Sequence, residues 1–198
     1  MAVKRFSTSF ISDSGQDKSS NFIANYSPAI DEMELIERVR VGSGGTSAIE
    51  FTNIPATYQH LQIRGVARRT TGTNSNNFIQ FNSITTANYA QHRIQGNGSA
   101  ASASGNSSTT YIFIFDSHAN YPSVSNQFGS VVIDILDYSS TSKNKTVRSI
   151  GGNDMNGAGI ISLSSGLWVS TSSISSIKVF TFDTWAEYTT FSLYGVKA

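Results

Sequence analysis

The chain contains no cysteine, only three prolines and few charged side chains. Without cysteine it can form no disulfide framework, thiolate metal site or cysteine nucleophile. No apolar run approaches the roughly 18 residues of a membrane helix. The first residues include the basic pair Lys4 and Arg5 but not the apolar segment of a secretion signal. From the sequence we therefore expect neither secretion by such a signal nor contact with a membrane.

Charge is also scarce. Lys, Arg, Asp and Glu make up 14% of the 198 residues, against about 25% in an average protein. The formal net charge is only +1, which does not indicate a dedicated nucleic-acid-binding protein. Disordered chains usually combine low hydrophobicity with high net charge. A net charge this close to zero favours a folded domain instead, with a polar surface made of hydroxyls and amides.

Small polar residues and aromatic residues are abundant, whereas charged residues are few. Ser, Thr, Asn and Gly together number 82, and there are 22 aromatic residues. Ser, Thr and Asn are unfavourable in helix interiors, whereas aromatic and β-branched residues favour strands. The length suits one domain, or one domain with an arm. The composition thus predicts an all-β protein with a core built from aromatic and aliphatic side chains.

Residues 1–32 differ from the rest of the chain because large apolar side chains stand there in a polar background without a sustained period. A loose terminal tail is one interpretation. The other is an extended N-terminal arm that docks these side chains on a partner. We prefer the arm, because a purely solvated tail rarely contains six large apolar residues. They are Phe6, Phe10, Ile11, Phe22, Ile23 and Tyr26.

From residue 33 onward, alternating apolar runs are separated by turn residues. The first run, near Met33, also fits a short helix with a capping box that starts at Asp31, but the following glycines favour a strand. The pattern gives about eleven strands, and residues 97–109 form a long polar loop. We predict that residues 33–198 are an antiparallel β-sandwich, jelly-roll-like, beside the arm at 1–32.

A basic stretch without acidic residues lies between Glu50 and Asp116. Its arginines could form an edge that meets an acidic protein surface, an anionic glycan or DNA. Alternatively they are solvated, or paired with carboxylates on neighbouring strands. Among them, Arg68 and Arg69 are the arginines that we expect to make surface contacts. Trp185 joins them, because it stands in a polar segment that resembles a turn between two strands.

No constellation of residues indicates catalysis. The serines show no Gly-x-Ser-x-Gly frame, and no carboxylate pair stands out for glycoside hydrolysis. Asp154, Asp183 and Glu187 could still meet in space. Only Asp116 and His118 have a spacing suited to metal ligands, and structural histidines are the preferred interpretation. We therefore predict no enzyme, no metal and no cofactor.

Several segments together resemble a family of virion structural proteins of tailed bacteriophages, found in aquatic and cyanobacterial phages. The segments are FTNIPATYQHLQIR at 51–64, ANYA at 87–90, IDILDY at 133–138, TVRSIGG at 146–152, GLW at 166–168, ISSI at 174–177 and FSLYGVK at 191–197. The resemblance covers about residues 33–198. It implies a β-sandwich module displayed on a virion, without catalytic residues.

Two roles follow from the resemblance. One is a capsid decoration, or cement, protein that docks on the major capsid protein through its arm. The other is a tail-associated fibre tip or receptor-binding module that attaches to a tail or baseplate protein and contacts host surface glycan. The short chain and the absence of a fibrous shaft or coiled-coil heptads favour the first. Either role implies a homo-oligomer, with a trimer preferred, located in the virion after assembly in the host cytoplasm.

Overall fold

The structure is a computed structural model that describes residues 32–70, 76–116, 126–155 and 157–197. The chain divides into two units, Met1–Glu32 and Met33–Ala198. All the strands named below belong to the second unit, while the predicted arm residues from Phe6 to Tyr26 lie outside the described residues.

The described residues form twelve strands and no helix. The strands are β1 (Met33–Arg40), β2 (Thr46–Phe51), β3 (His60–Ala67), β4 (Asn76–Phe81), β5 (Tyr89–Gly96), β6 (Ala101–Thr109), β7 (Ile112–Asp116), β8 (Gly129–Leu136), β9 (Lys145–Asp154), β10 (Gly159–Trp168), β11 (Ile177–Trp185) and β12 (Thr190–Val196). No helix in this part of the chain is therefore long and apolar enough to cross a membrane.

The strands form two antiparallel sheets that pack as a sandwich. The eight-stranded sheet has the order β1-β12-β3-β8-β9-β10-β5-β6, and the four-stranded sheet has the order β2-β11-β4-β7. Without the hairpins β5–β6 and β9–β10, each sheet keeps four strands, β1-β12-β3-β8 and β2-β11-β4-β7. This is the two-sheet arrangement of an eight-stranded jelly roll. The sandwich predicted from the sequence is confirmed, and the two inserted hairpins lengthen only one of its sheets.

Period-two alternation explains why these segments form strands with one face in the core. In β8, Val131, Ile133 and Ile135 point inward and are buried, while the residues between them are more exposed. Successive side chains of a strand point to opposite faces of the sheet, so three of them enter the core together. Each fully buried aliphatic or aromatic side chain contributes about 1.5–3 kcal/mol relative to an exposed one.

Polar contacts attach the connections between strands to this core. The buried hydroxyl of Tyr138 donates to the carbonyl of Pro55 and accepts the backbone N–H of Tyr58 at 3.3 Å, which fixes the turn between β2 and β3. The ring of Tyr58 in turn lies directly over Gly195, where a Cβ would stand 2.3 Å from Cγ of the tyrosine. Only glycine leaves room for that ring.

The largest difference from the sequence-based prediction concerns residues 97–109. We expected a long polar loop, but Ala101–Thr109 is strand β6, which pairs antiparallel with β5. Only 97–100 form a turn, in which the Asn97 side chain accepts the backbone N–H groups of Ser99 and Ala100. Small side chains conceal this strand, because the alternation of Ala101 and Ala103 with Ser102 and Ser104 is only weakly apolar. In contrast, the strand preferred over a helix near Met33 is confirmed as β1.

Candidate binding surfaces

A groove lies where the β5–β6 hairpin extends past the edge of the four-stranded sheet. Strand β7, at that edge, packs against β9 and β10: the side chain of Ile112 fills the space above Gly166, and Ser149 donates to the Ile114 carbonyl at 2.6 Å. Strands β5 and β6 come next in the longer sheet. They therefore flank the open edge of β7 instead of covering it.

Aromatic side chains form one wall of this groove. Alternation in β4, β7 and β11 places inward side chains in the core and leaves a second set of rings on the outer face of the four-stranded sheet. Phe78 is the buried centre of this set, with ring centroids 4.3 Å from Tyr111 and 4.8 Å from Phe182. Phe113 and Phe180 complete it. The Phe182 side chain is 59% exposed, so the cluster presents an aromatic surface to solvent.

Polar groups from β5 and β6 form the opposite wall. The side chain of Gln91 accepts the backbone N–H of Phe113 and so satisfies a donor at the edge of β7. The guanidinium of Arg93 lies 4.4 Å from the centre of the Phe113 ring, and its Nε donates to Ser104 Oγ at 3.0 Å. These two contacts hold Arg93 in place. Within the described residues no hydrogen bond occupies its two terminal nitrogens, which are the fork that recognises carboxylates and phosphates.

The lining of the groove combines aromatic rings with hydrogen-bonding groups. Its lining also includes Asn76 and Asn106, which offer amide groups beside the rings, and none of the lining residues carries a carboxylate. The His92 imidazole lies over Gly105, on the outer face of the hairpin. Its volume of about 190 Å³ is below the roughly 300–1,000 Å³ of typical small-molecule pockets. It therefore suits one ring-sized part of a larger ligand.

A second surface lies on the outer face of the eight-stranded sheet. Here four large aliphatic side chains, Ile94, Ile150, Ile161 and Leu163, are between 43% and 60% exposed; we call them the apolar face. Antiparallel pairing brings them together, because Leu163 stands opposite both Ile94 and Ile150. Contiguous exposed apolar surface commonly marks an interaction site.

A row of polar pairs borders the apolar face. Arg148 Nη2 donates to Asp134 Oδ2 at 2.7 Å, and Gln62 Nε2 donates to Asp134 Oδ1 at 2.8 Å. Arg148 on β9 stands directly opposite Asp134 on β8, so this ion pair joins two neighbouring strands. The outer face of the sheet is thus divided into a charged part and an apolar part.

Trp185 is not at the surface, and the expectation from the sequence was wrong. Its side chain is 0% exposed, packs against Phe191 at a ring-centroid distance of 5.0 Å, and donates from Nε1 to Asn77 Oδ1 at 2.9 Å. The polar segment around it belongs to β11. The alternation that points Ile177 and Val179 inward, continued along the strand, would have placed Trp185 in the core.

Arg69 is also buried, with 2% of its surface exposed, so it cannot make the surface contact expected of it. Its Nη2 forms an ion pair with Asp183. Burial lowers the pKa of Arg69 because desolvation disfavours the charged form, and the Asp183 carboxylate acts in the opposite direction. Arg68 is half-buried, and its role as a contact residue stays a prediction.

Two further sets of candidates came from the sequence, the pair Asp116 and His118 and the three acids Asp154, Asp183 and Glu187. His118 lies outside the described residues, whereas Asp116 is buried. Of the three scattered acids, Asp183 is engaged by Arg69. Within residues 32–70, 76–116, 126–155 and 157–197, no three His, Cys, Asp or Glu side chains are grouped to hold a metal ion.

The fold is an antiparallel jelly-roll sandwich that carries the aromatic groove and the apolar face. None of the protein-family models, curated proteins or solved structures compared with the chain matches it. The assignment of a function therefore depends on the residues themselves.

Proposed function

We propose that this protein is a non-enzymatic virion structural protein of a tailed bacteriophage, namely a capsid decoration protein that docks on the major capsid protein. The observation that carries an assembly role is the apolar face, which leaves large aliphatic side chains on a regular sheet without a cover in the described part of the chain. Such a surface is costly in a lone protein and useful in an assembly. The low charge supports the proposal, because copies can pack side by side without strong repulsion.

The arm at residues 1–32 supplies the attachment to the capsid in this proposal. Six large apolar side chains, each worth about 1.5–3 kcal/mol when fully buried, can outweigh the cost of ordering an extended segment. Many symmetry-related copies would then strengthen the shell through multivalency. No step of this function requires a cofactor.

Deletion of residues 1–30 tests the arm. Purified protein with and without the deletion is added to virions that lack the protein, and the amount that sediments with the particles is measured. We expect the truncated protein to fold but to lose binding. Unchanged affinity of the truncated protein would show that the arm does not attach it.

A second candidate is a tail-associated receptor-binding module that contacts host glycan, and the aromatic groove favours it. Phe182 and Tyr111 offer faces on which sugar rings stack, and Arg93 offers an anchored cation. The test is saturable binding of the purified protein to host cells or to lipopolysaccharide. Phe182→Ala should abolish that binding, whereas Tyr188→Ala, which removes another exposed ring outside the groove, should not. Equal effects of the two substitutions, or no binding at all, would contradict this role.

A further inference from the structure

Strand β6 leaves an open edge on the eight-stranded sheet. It is the last strand of that sheet in the described part of the chain. An edge strand presents a row of unpaired backbone N–H and C=O groups, and proteins usually protect such rows with charge, proline, bulges or short length. Strand β6 has nine residues, none of them charged and none of them proline. Its register shift is confined to the end that pairs near Tyr89, so Ala101–Asn106 forms a regular edge.

The other three edges of the sandwich are protected. Strand β1 contains four charged residues and a register shift. Strand β2 has only six residues, among them Glu50, which pairs with Lys178 at 3.6 Å. Strand β7 has five residues, and the Phe113 N–H at its edge is already bound by Gln91. The contrast marks β6 as the edge that can accept another strand.

The apolar face runs directly to this open edge. One row across the neighbouring strands reads Ile150, Leu163, Ile94 and Ala103, each opposite the next. The row ends at Ala103 on β6. A further strand paired with β6 would extend this apolar row across one more strand. The same strand would also satisfy the unpaired N–H and C=O groups of the β6 edge.

We infer that β6 pairs antiparallel with β6 of a second copy of this chain, about a twofold axis at Ala103. In this register Ala103 faces its own copy, and Ala101 faces Gly105. Both positions lie on the apolar side of the strand, since alternate residues share a face. The apolar rows of the two copies therefore join into one surface across the axis.

The choice of a second copy follows from charge and symmetry. Like charges directly opposite each other destabilise strand pairs, but β6 contains no charged side chain to oppose its own copy. A twofold interface uses the same patch on both partners, so one unprotected edge is sufficient. The pairing goes beyond the proposed attachment to a capsid, and it predicts a dimer in place of the trimer expected from the sequence.

Single cysteines test the register directly, because the natural chain has none. Directly opposite residues in an antiparallel pair have Cα atoms about 4.5–5.5 Å apart, within the range of about 4.4–6.8 Å that a disulfide bridges. We expect oxidised Ala103→Cys to form a covalent dimer rapidly. Ala56→Cys, at an exposed position in the turn before β3, is the matched control. Cross-linking of both variants at the same rate would overturn the pairing.

The mass of the full-length protein in solution gives an independent measurement. Light scattering or sedimentation over a dilution series should show a dimer that dissociates reversibly. Ala103→Lys places two ammonium groups opposite each other and should abolish the dimer, whereas Ala56→Lys should not. Circular dichroism and a thermal melt of both lysine variants identify any loss of fold. A monomer at every concentration, a trimer, or a dimer that survives Ala103→Lys would each refute the inference. These measurements contain no virions. A negative result would therefore refute the dimer without bearing on the proposed docking to a capsid.

Discussion

The two tryptophans provide a matched test of the core. Both side chains are buried, but only Trp185 has a partner for its indole N–H, Asn77 Oδ1 at 2.9 Å. Trp168 packs against Tyr89 and Phe81, while its Nε1 has no hydrogen-bond partner among the described residues. Substitution by phenylalanine removes the same atoms at the two positions and breaks a hydrogen bond at only one of them.

The magnitude follows from this difference. Both substitutions lose apolar contact and leave a cavity, a cost below the roughly 3–5 kcal/mol of a change from tryptophan to alanine. Trp185→Phe additionally removes the indole donor from a buried amide, which costs about 1–3 kcal/mol. Trp168→Phe instead removes a buried donor that had no partner. We therefore expect Trp185→Phe to lower the free energy of unfolding by at least about 1 kcal/mol more than Trp168→Phe.

Urea denaturation followed by circular dichroism measures this difference directly. The slope of the free energy against urea should be the same in both variants, since a changed slope would indicate altered compactness. The one tryptophan left in each variant reports on its own burial by fluorescence. Equal destabilisation, or a larger loss for Trp168→Phe, would refute the role given to the hydrogen bond. If Trp185→Phe had wild-type stability, the burial of the Trp185 side chain would be refuted as well.

Three further predictions concern stability. Gly195→Ala should destabilise the protein by about 1–3 kcal/mol in chemical denaturation, because its Cβ meets a tyrosine ring, whereas Gly44→Ala, which meets nothing within 4 Å, should be tolerated. Tyr138→Phe should cost about 1–2 kcal/mol, since its hydroxyl satisfies two backbone groups; an unchanged thermal midpoint would contradict this. The hydrogen bond from Lys143 lowers the pKa of Asp137, so its stabilising effect is present above the ordinary aspartate pKa of 3.8 and is lost as pH falls further. The stability of Lys143→Met should decline less over that acid range, and an identical pH profile would show that the contact is absent in solution.

The sequence predicts the sandwich well because its central strands carry a strong signal. Strands such as β8 alternate large β-branched residues with less buried ones, and local preference and tertiary burial agree there. Strand β6 shows the limit of this reasoning. Its small residues alternate Ala and Gly with Ser and Asn, a contrast too weak to predict a strand, and the strand is recognised from its backbone pairing with β5. Which strands pair depends on the tertiary structure, and the local composition of β6 does not predict its partner.

The candidate surface residues were harder to predict than the fold, for a related reason. Trp185 and Arg69 stand in polar segments, and polar neighbours in the sequence predict exposure. The structure buries both because β11 continues to Trp185 and because Asp183 compensates the charge of Arg69. In the groove, Phe182 and Arg93 come from strands distant in sequence. Only the order of the strands in space brings them together.

The unequal length of the two sheets explains why both candidate surfaces occur at the same end of the sandwich. The four-stranded sheet ends at β7, whereas the eight-stranded sheet continues through β5 and β6. On the inner side this hairpin has no sheet opposite it in the described structure, so Arg93 and Ser104 face the open edge of β7 and form the groove. On the outer side, the same hairpin carries Ile94 into the apolar face. One inserted hairpin thus creates a recognition groove on one face and an assembly surface on the other, while the eight strands of the jelly roll supply the core that holds it.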